Sequence, residues 1–422
     1  MRRMSAGEFR KACLATIGPG DPAAVSGILS AVRKNGDAAL REFTRRFDRV
    51  EIGALAVGAD EIAAAARRAD PDLVAAMREA AENIRRFALC QMRAFADFEV
   101  EIRPGVFAGQ VVVPLARVGI YVPGGRYPLA STLLMTAIPA LTAGVQELVV
   151  CTPPGPEGAV PEAILAAAEL CGVREVFRVG GAQAIAAMAY GTESIRKADK
   201  IVGPGNDYVT AAKRAVAGDV GIDFAAGPTE LLVLADRSAD ALFIAADLVA
   251  QAEHDVRAAA MLITDSEDLA ARVEFEVGRL LGKIRTEKVA RASLEDRGTI
   301  VVVDSMEEAL SLADDRAPEH LELFAADAKG LARRLRNYGS LFVGERSAEV
   351  LGDYSSGLNH VLPTRGAARY TGGLSVRDFL KVQTVLRVEG DGLSAIGPAA
   401  VRLARAEGLD GHALAVEVRM RR

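Results

Sequence analysis

The spacing of hydrophobic positions changes character twice along this chain. From about Pro22 to Ala96 apolar residues recur at helical intervals: Leu29 and Val32, then Ala39, Leu40 and Phe43, with charges between them. Gly36-Asp37 interrupts the run, which predicts a break there with Asp37 capping the next helix. After Val111 short β-branched runs alternate with glycine turns and alanine-rich stretches. VGIYV leads into Pro123-Gly124-Gly125 and a helical stretch to about Ala143. ELVVCT reads as a strand, EVFRVGG leads into AQAIAAMAYG, and KIVGPGN into DYVTAAKRAV. This repetition predicts a parallel sheet covered by helices. TELLVLAD, AAMLITD, TIVVVD and SLFVG continue the pattern as buried strands. After about Gly373 a smaller helical piece is expected.

These patterns predict two α/β domains. One spans 115–228. The other is discontinuous, joining 21–114 to 229–372, with AAGPTE (225–230) as the crossing between the two. A segment of 1–20 precedes them and a helical tail of 373–422 follows. The 422 residues are enough for two cores.

Composition narrows the function. A net charge of −5, few aromatics and no Trp argue against a nucleic-acid partner. The first residues, broken by Glu8, Arg10 and Lys11, lack the apolar stretch of a signal peptide. Ala130–Val145, the most apolar run, is interrupted by Pro139 and is too short to span a bilayer. Cys13, Cys90, Cys151 and Cys171 are scattered, and read as reduced core residues of a cytoplasmic protein.

The chain has only four histidines, each beside acidic, amide or glycine neighbours: His254, His320, His360 and His412. The pattern suggests one metal site and one acid–base pair. Gln251 and His254 stand at i and i+3 in ALFIAADLVAQAEHD. On a helix they would share a face, gripping one ion or forming a hydrogen-bonded polar patch. Glu319-His320 follows Pro318. The proline allows an irregular entry at which both side chains face one pocket and divide two proton-transfer roles; a helix N-terminus with Glu in its first turn is the other reading. Asp353 lies in GDYSSGLNHVLPT, read as a loop, and is a candidate oxygen ligand; His360 reads as structural. Glu407 and His412 either reach a site across a dimer interface or decorate a solvated helix. The glycine turns after the strands could receive an anion such as a pyrophosphate at a helix start. None fits G-x-G-x-x-G, and H-E-x-x-H is absent.

Taken together, VPGG, GGAQAIAAMAYGT, KIVGPGN, AGPTE, QAEHD, APEHLEL, GDYSSGLNHVLPT and EGLDGH resemble the histidinol dehydrogenase family in order and spacing, from about residue 25 to the end of the chain. The resemblance implies two α/β/α domains of incomplete Rossmann-like, aldehyde-dehydrogenase-like topology, with small helical terminal pieces. It implies oxidation of L-histidinol through L-histidinal to L-histidine, with two NAD reduced in turn. One Zn2+ per subunit would be held by Gln251, His254, Asp353 and His412, the last supplied across a homodimer. Glu319 and His320 would be the proton acceptors. Tyr121, Gln183 and Asn206 match NAD contacts; Thr229, Gln251, His254, His320, Asp353, Glu407 and His412 match substrate contacts.

Three features depart from the family pattern. Thr229 stands where the family often has Ser, keeping the hydroxyl and adding a methyl. Arg126-Tyr127 follows the PGG turn where smaller residues are frequent. GGRYP, AGPTE and ARYTGGL resemble relatives that oxidise other polar alcohols, including a sulfonated propanediol, which is the alternative substrate class. A metal-dependent hydrolase using Glu319 as base, and a non-catalytic metal-binding protein, are the rivals from other classes.

Overall fold

The computed structural model describes residues 1–14, 21–124 and 127–421. Gly125 and Arg126, singled out above, lie outside the described residues. Strand β1 (Arg2–Met4) opens the chain, and β2 (Phe98–Arg103) and β3 (Val106–Pro114) form an antiparallel pair. Next, β4 (Arg117–Tyr121), β5 (Glu147–Thr152), β6 (Glu175–Arg178), β7 (Lys200–Val202) and β8 (Gly221–Ile222) build a parallel sheet in the order β6-β5-β4-β7-β8. A second parallel sheet takes β9 (Glu230–Ala235), β10 (Ala259–Thr264), β11 (Thr299–Val302), β12 (His320–Phe324) and β13 (Ser340–Val343). With β1 at its edge, its order is β1-β11-β10-β9-β12-β13. The α/β class and its parallel sheets therefore agree with the reading of the sequence.

The strands are where the apolar runs placed them. ELLVLA of β9 is buried throughout, as a strand covered by helices on both faces must be. The helices are amphipathic or wholly apolar according to depth, and Asp240, Ser266 and Ser305 cap three of them by accepting backbone N–H groups.

Three elements differ from expectation. Residues 380–388, within the expected helical tail, form β14 (Leu380–Val388), antiparallel to β3. Alternation in VQTVLRV suits a ladder partner that lies far away in sequence. Two helices, Gly392–Ala406 and Asp410–Met420, complete the tail. Gly36 does break its helix, with φ 51, but the Asp37 carboxylate accepts from Ser194 instead of capping the next turn. Finally, the helices of 23–92 pack on the first sheet, not on the sheet of 229–372 with which the sequence grouped them. Val25, Leu29 and Leu40 join Tyr121 and Ile185 in one core, and Ile62, Met77 and Ile84 join Ile120 and Leu133 in another. Among the described residues, no helix is long and apolar enough to cross a membrane. The four cysteines are free; Cys151 is buried, but Cys90 is exposed, not a core residue.

Candidate active site

In both sheets the strand order reverses beside one strand. The chain leaves β4 towards β5 and β6, then returns to β7 on its other side; it leaves β9 towards β10 and β11, then returns to β12. Such a switch point opens a crevice outside the carboxyl ends of the strands, which suits the first sheet. In the second sheet Thr229 immediately precedes β9 and Glu319 immediately precedes β12, so its candidate residues sit at the amino ends instead.

The chain enters β12 through Ala317 in a left-handed conformation (φ 50), then Pro318 and Glu319. This irregular entry, not a helix start, turns both Glu319 and His320 inward; both are buried. Glu319 Oε2 accepts the Thr229 hydroxyl at 2.6 Å and the Glu230 backbone N–H at 2.8 Å. Burial nevertheless pushes the Glu319 carboxyl well above its ordinary range. His320 Nδ1 lies 3.1 Å from the Glu230 carbonyl oxygen, an acceptor, so Nδ1 carries the proton. Nε2 is then the basic nitrogen. It is buried without a hydrogen-bond partner, 3.4 Å from Glu349 Oε1 and 3.8 Å from Asp353 Oδ1. Burial lowers the His320 pKa, which favours the neutral imidazole.

Gln251 closes the helix Ala241–Ala252 on its penultimate residue and is fully buried. Its Nε2 donates to Thr229 Oγ1 at 2.8 Å, leaving Oε1 buried and unpartnered. His254 lies two residues past the helix end and is exposed, so the i, i+3 helical pairing is not formed. It remains near enough to His320 and His360 to oppose their protonation. Asp353 lies in a short helix, Glu349–Tyr354, where a loop was expected. Its backbone carbonyl accepts from His360 Nδ1 at 3.0 Å, and His360 Nε2 meets Thr132 Oγ1 at 3.3 Å, a supporting role as expected.

His320, Glu349 and Asp353 each offer an atom within 4.8 Å of the others, a geometry able to hold a cation. Of the histidines and carboxylates expected from sequence as ligands, only Asp353 belongs to this group. Glu349 went unnoticed, as did two more buried acids, Glu322 and Asp247. Glu322 accepts the Glu349 backbone N–H at 2.8 Å, and burial raises both of their carboxyls well above the usual range; Asp247 is pushed up to about 6. A signal did exist: Glu322 is a charge inside the apolar strand HLELF, and Asp247 one inside an apolar helix. Glu407, just past the end of Gly392–Ala406, and His412, within Asp410–Met420, are both exposed; these two helices pack mainly on each other, and neither residue joins the group around Asp353 within one chain.

At the first switch point Tyr121, Gln183 and Asn206 gather at carboxyl strand ends. The Tyr121 hydroxyl accepts the Gly181 N–H at 3.0 Å, and burial pushes its pKa up to about 12. Gln183 is buried in the first turn of Gly181–Tyr190. Asn206 caps Asp207–Val216, accepting from Tyr208 and Val209 N–H at 3.1 Å each. The turn between β7 and Asn206 is held from both sides. Gly203 N–H donates to Asp223 Oδ2 and its carbonyl accepts from Lys213 Nζ, each at 2.9 Å, and Lys213 and Asp223 form a buried ion pair. Gly203 (φ 114) leaves no room for a Cβ against the Tyr121 carbonyl. Thr152 Oγ1, at the end of β5, is buried and unpartnered, and sequence reasoning missed it.

Comparison with known proteins agrees with this architecture. A family model described as histidinol dehydrogenase matches residues 21–420. The histidinol dehydrogenase of Methanothermobacter thermautotrophicus is 48% identical over 397 residues, covering 94% of this chain and 93% of the relative. That of Geobacillus kaustophilus is 47% identical, also covering 94% of this chain and 93% of the relative. The crystal structure of histidinol dehydrogenase from Elizabethkingia anophelis superposes with a TM-score of 0.94 at 37% identity, covering 100% of this chain and 98% of that one. An acetylating aldehyde dehydrogenase from Geobacillus thermoglucosidasius shares the fold alone, with a TM-score of 0.50 at 14% identity over 91% of this chain and 98% of that one. A match that runs from residue 21 to residue 420, through the buried Glu319–His320 pair, leads to one conclusion: the chain belongs to the histidinol dehydrogenase family of oxidoreductases.

Proposed function

We propose that this chain oxidises L-histidinol through L-histidinal to L-histidine in the cytoplasm, with two NAD and one Zn2+ per subunit, as a homodimer with shared active sites. The observation that carries the reading is His320: Nδ1–H is fixed on the Glu230 carbonyl, and Nε2 is basic, buried and free. Beside it, Glu319 supplies a second proton-handling group of different character.

The residues present fit both absent groups. For a divalent ion, the unpartnered Gln251 Oε1, the Asp353 carboxylate and the His254 imidazole, near His320 and His360, offer a mixed oxygen and nitrogen set suited to zinc. The carboxyl end of the Ala241–Ala252 helix, where Gln251 sits, favours positive charge. Gln251, His254 and Asp353 would hold the ion together with His412 of the partner subunit. For NAD, Tyr121, Gln183 and Asn206 stand at or just past the carboxyl strand ends of the first sheet, where Thr152 Oγ1, at the end of β5, is buried without a partner. When bound, Zn2+ supplies an anchor for the imidazole and amine of the substrate, and NAD supplies the hydride acceptor.

The protein groups then divide the proton chemistry. His320 Nε2 takes the hydroxyl proton of the alcohol in the first oxidation. Glu319 takes a proton from the water that adds to the aldehyde, giving the hydrate as its anion, and loss of hydride to the second NAD then leaves the acid. Burial raises the Glu319 pKa, while the Thr229 hydroxyl and the Glu230 N–H on its Oε2 favour the ionised form it needs as a base. Thr229, Glu407 and the partner subunit's His412 would complete the substrate contacts, keeping the aldehyde from escaping.

The test is NADH absorbance with zinc-loaded protein, NAD and L-histidinol, against a sulfonated propanediol control. Two NADH per histidinol, abolished by chelator and restored by zinc, is the expected outcome. Turnover of the control alone would reject histidinol as the substrate.

A further inference from the structure

Glu230, the first residue of β9, touches the proton-handling pair twice through its backbone. Its N–H donates to Glu319 Oε2 at 2.8 Å and its carbonyl accepts from His320 Nδ1 at 3.1 Å. The first contact fixes one carboxylate oxygen; the second fixes the tautomer that leaves His320 Nε2 basic. The position of this one peptide segment therefore sets both groups.

The Glu230 side chain is anchored separately. It is buried, 2% exposed, and its Oε2 is ion-paired with the Arg316 guanidinium. Its Oε1 accepts the Arg365 backbone N–H at 3.1 Å. Arg316 closes the helix Met306–Arg316, and the chain then reverses through left-handed Ala317 and Pro318 into Glu319 and His320. Glu230 thus grips this reversal at both ends, Arg316 by charge and His320 by its ring. An alanine with φ 50 is disfavoured by its own Cβ, and such a turn persists when neighbouring contacts hold it. Glu230 also belongs to the segment that crosses between the two sheets. That segment is pinned a few residues earlier, where Gly227 N–H donates to Thr364 Oγ1 at 2.5 Å.

We propose that Arg316 is a positioning residue for the oxidation: through Glu230 it sets the placement of Glu319 and His320 without touching substrate or cofactor. The inference rests on the assignment of that pair as the proton acceptors. A buried carboxylate that loses its cationic partner is left uncompensated, and its shift towards water displaces the peptide that holds both groups.

The experiment compares Arg316→Met, Arg316→Lys and the double variant Glu230→Gln with Arg316→Met in the full-length protein. It reads kcat and KM for L-histidinol, NAD affinity by titration, zinc content and thermal melting. Arg316→Met is expected to lose about 100-fold in kcat, the loss that misplacement of a reacting group produces, with KM and NAD affinity within about threefold of wild type. Arg316→Lys should retain an intermediate kcat. The double variant should recover about tenfold over Arg316→Met, because a neutral amide needs no counter-ion while the backbone contacts of residue 230 remain. Should Arg316→Met fail to fold, the lysine and double variants carry the test. Wild-type kcat in whichever of these variants fold would overturn the proposal. So would parallel losses of kcat, NAD affinity, zinc and melting temperature, which mark a purely structural pair. Absence of any histidinol turnover by the wild type would instead reject the functional reading beneath it.

Discussion

The Thr229 hydroxyl donates to Glu319 Oε2 at 2.6 Å, and Thr229 Oγ1 in turn accepts the Gln251 Nε2 amide at 2.8 Å. One hydroxyl thus orients both the proposed proton acceptor and a candidate metal ligand. With Nε2 of Gln251 engaged, Oε1 is the atom left free, and it is the atom that lacks a partner.

Replacing Thr229 by Val removes both bonds and keeps the shape. Zinc affinity is expected to fall about tenfold or more, as when an outer partner of a metal ligand is lost. Thr229→Ser should remain close to wild type. Competition with a chromophoric chelator measures this, and equal affinities for the Val and Ser variants would contradict the linkage.

Glu319→Gln keeps an acceptor for Thr229 and Glu230 but cannot take a proton. The oxidation of L-histidinal should slow by about 100-fold or more, the usual contribution of a general base, with the oxidation of L-histidinol affected less. Single-turnover NADH traces from each substrate separate the two steps. Equal losses would sink the division of labour between Glu319 and His320.

Glu322 carries a pH prediction. Burial raises its carboxyl well above the 4.5 of a free glutamate, so the folded protein holds a proton that the unfolded chain releases. The stability present below pH 4.5 is lost as pH rises through the folded pKa, at about 1.4 kcal/mol per unit for such a group. Glu322→Gln mimics the protonated form and removes this loss. Its melting temperature should exceed wild type at pH 8, with the gap closing towards pH 5. Parallel melting curves across that range would rule out a proton held at Glu322.

A shared active site predicts complementation. Asp353→Asn and His412→Asn are each expected to be inactive alone. Random remixing of equal amounts should restore about a quarter of wild-type activity, since half the dimers are mixed and each has one intact site of two. No recovery after verified subunit exchange would place His412 outside the neighbouring site.

The sequence by itself determined the elements. Apolar runs bounded by glycine turns marked eight of the strands, because a strand buried between helix layers needs an uninterrupted apolar face on each side. It also offered Pro318 as an irregular entry for Glu319 and His320, because proline constrains the residues around it locally, but left a helix start open until the tertiary structure placed a strand there. Tertiary structure decided what those elements bring together. Thr229, Glu230, Gln251, Glu319 and Asp353 meet because β12 returns beside β9, a strand order that no local spacing encodes. The helix end before His254, the strand at 380–388 and the buried acids Asp247, Glu322 and Glu349 were settled in the same way. Each depends on partners tens to hundreds of residues away, and local periodicity carries no record of which distant neighbour will remove a side chain from water.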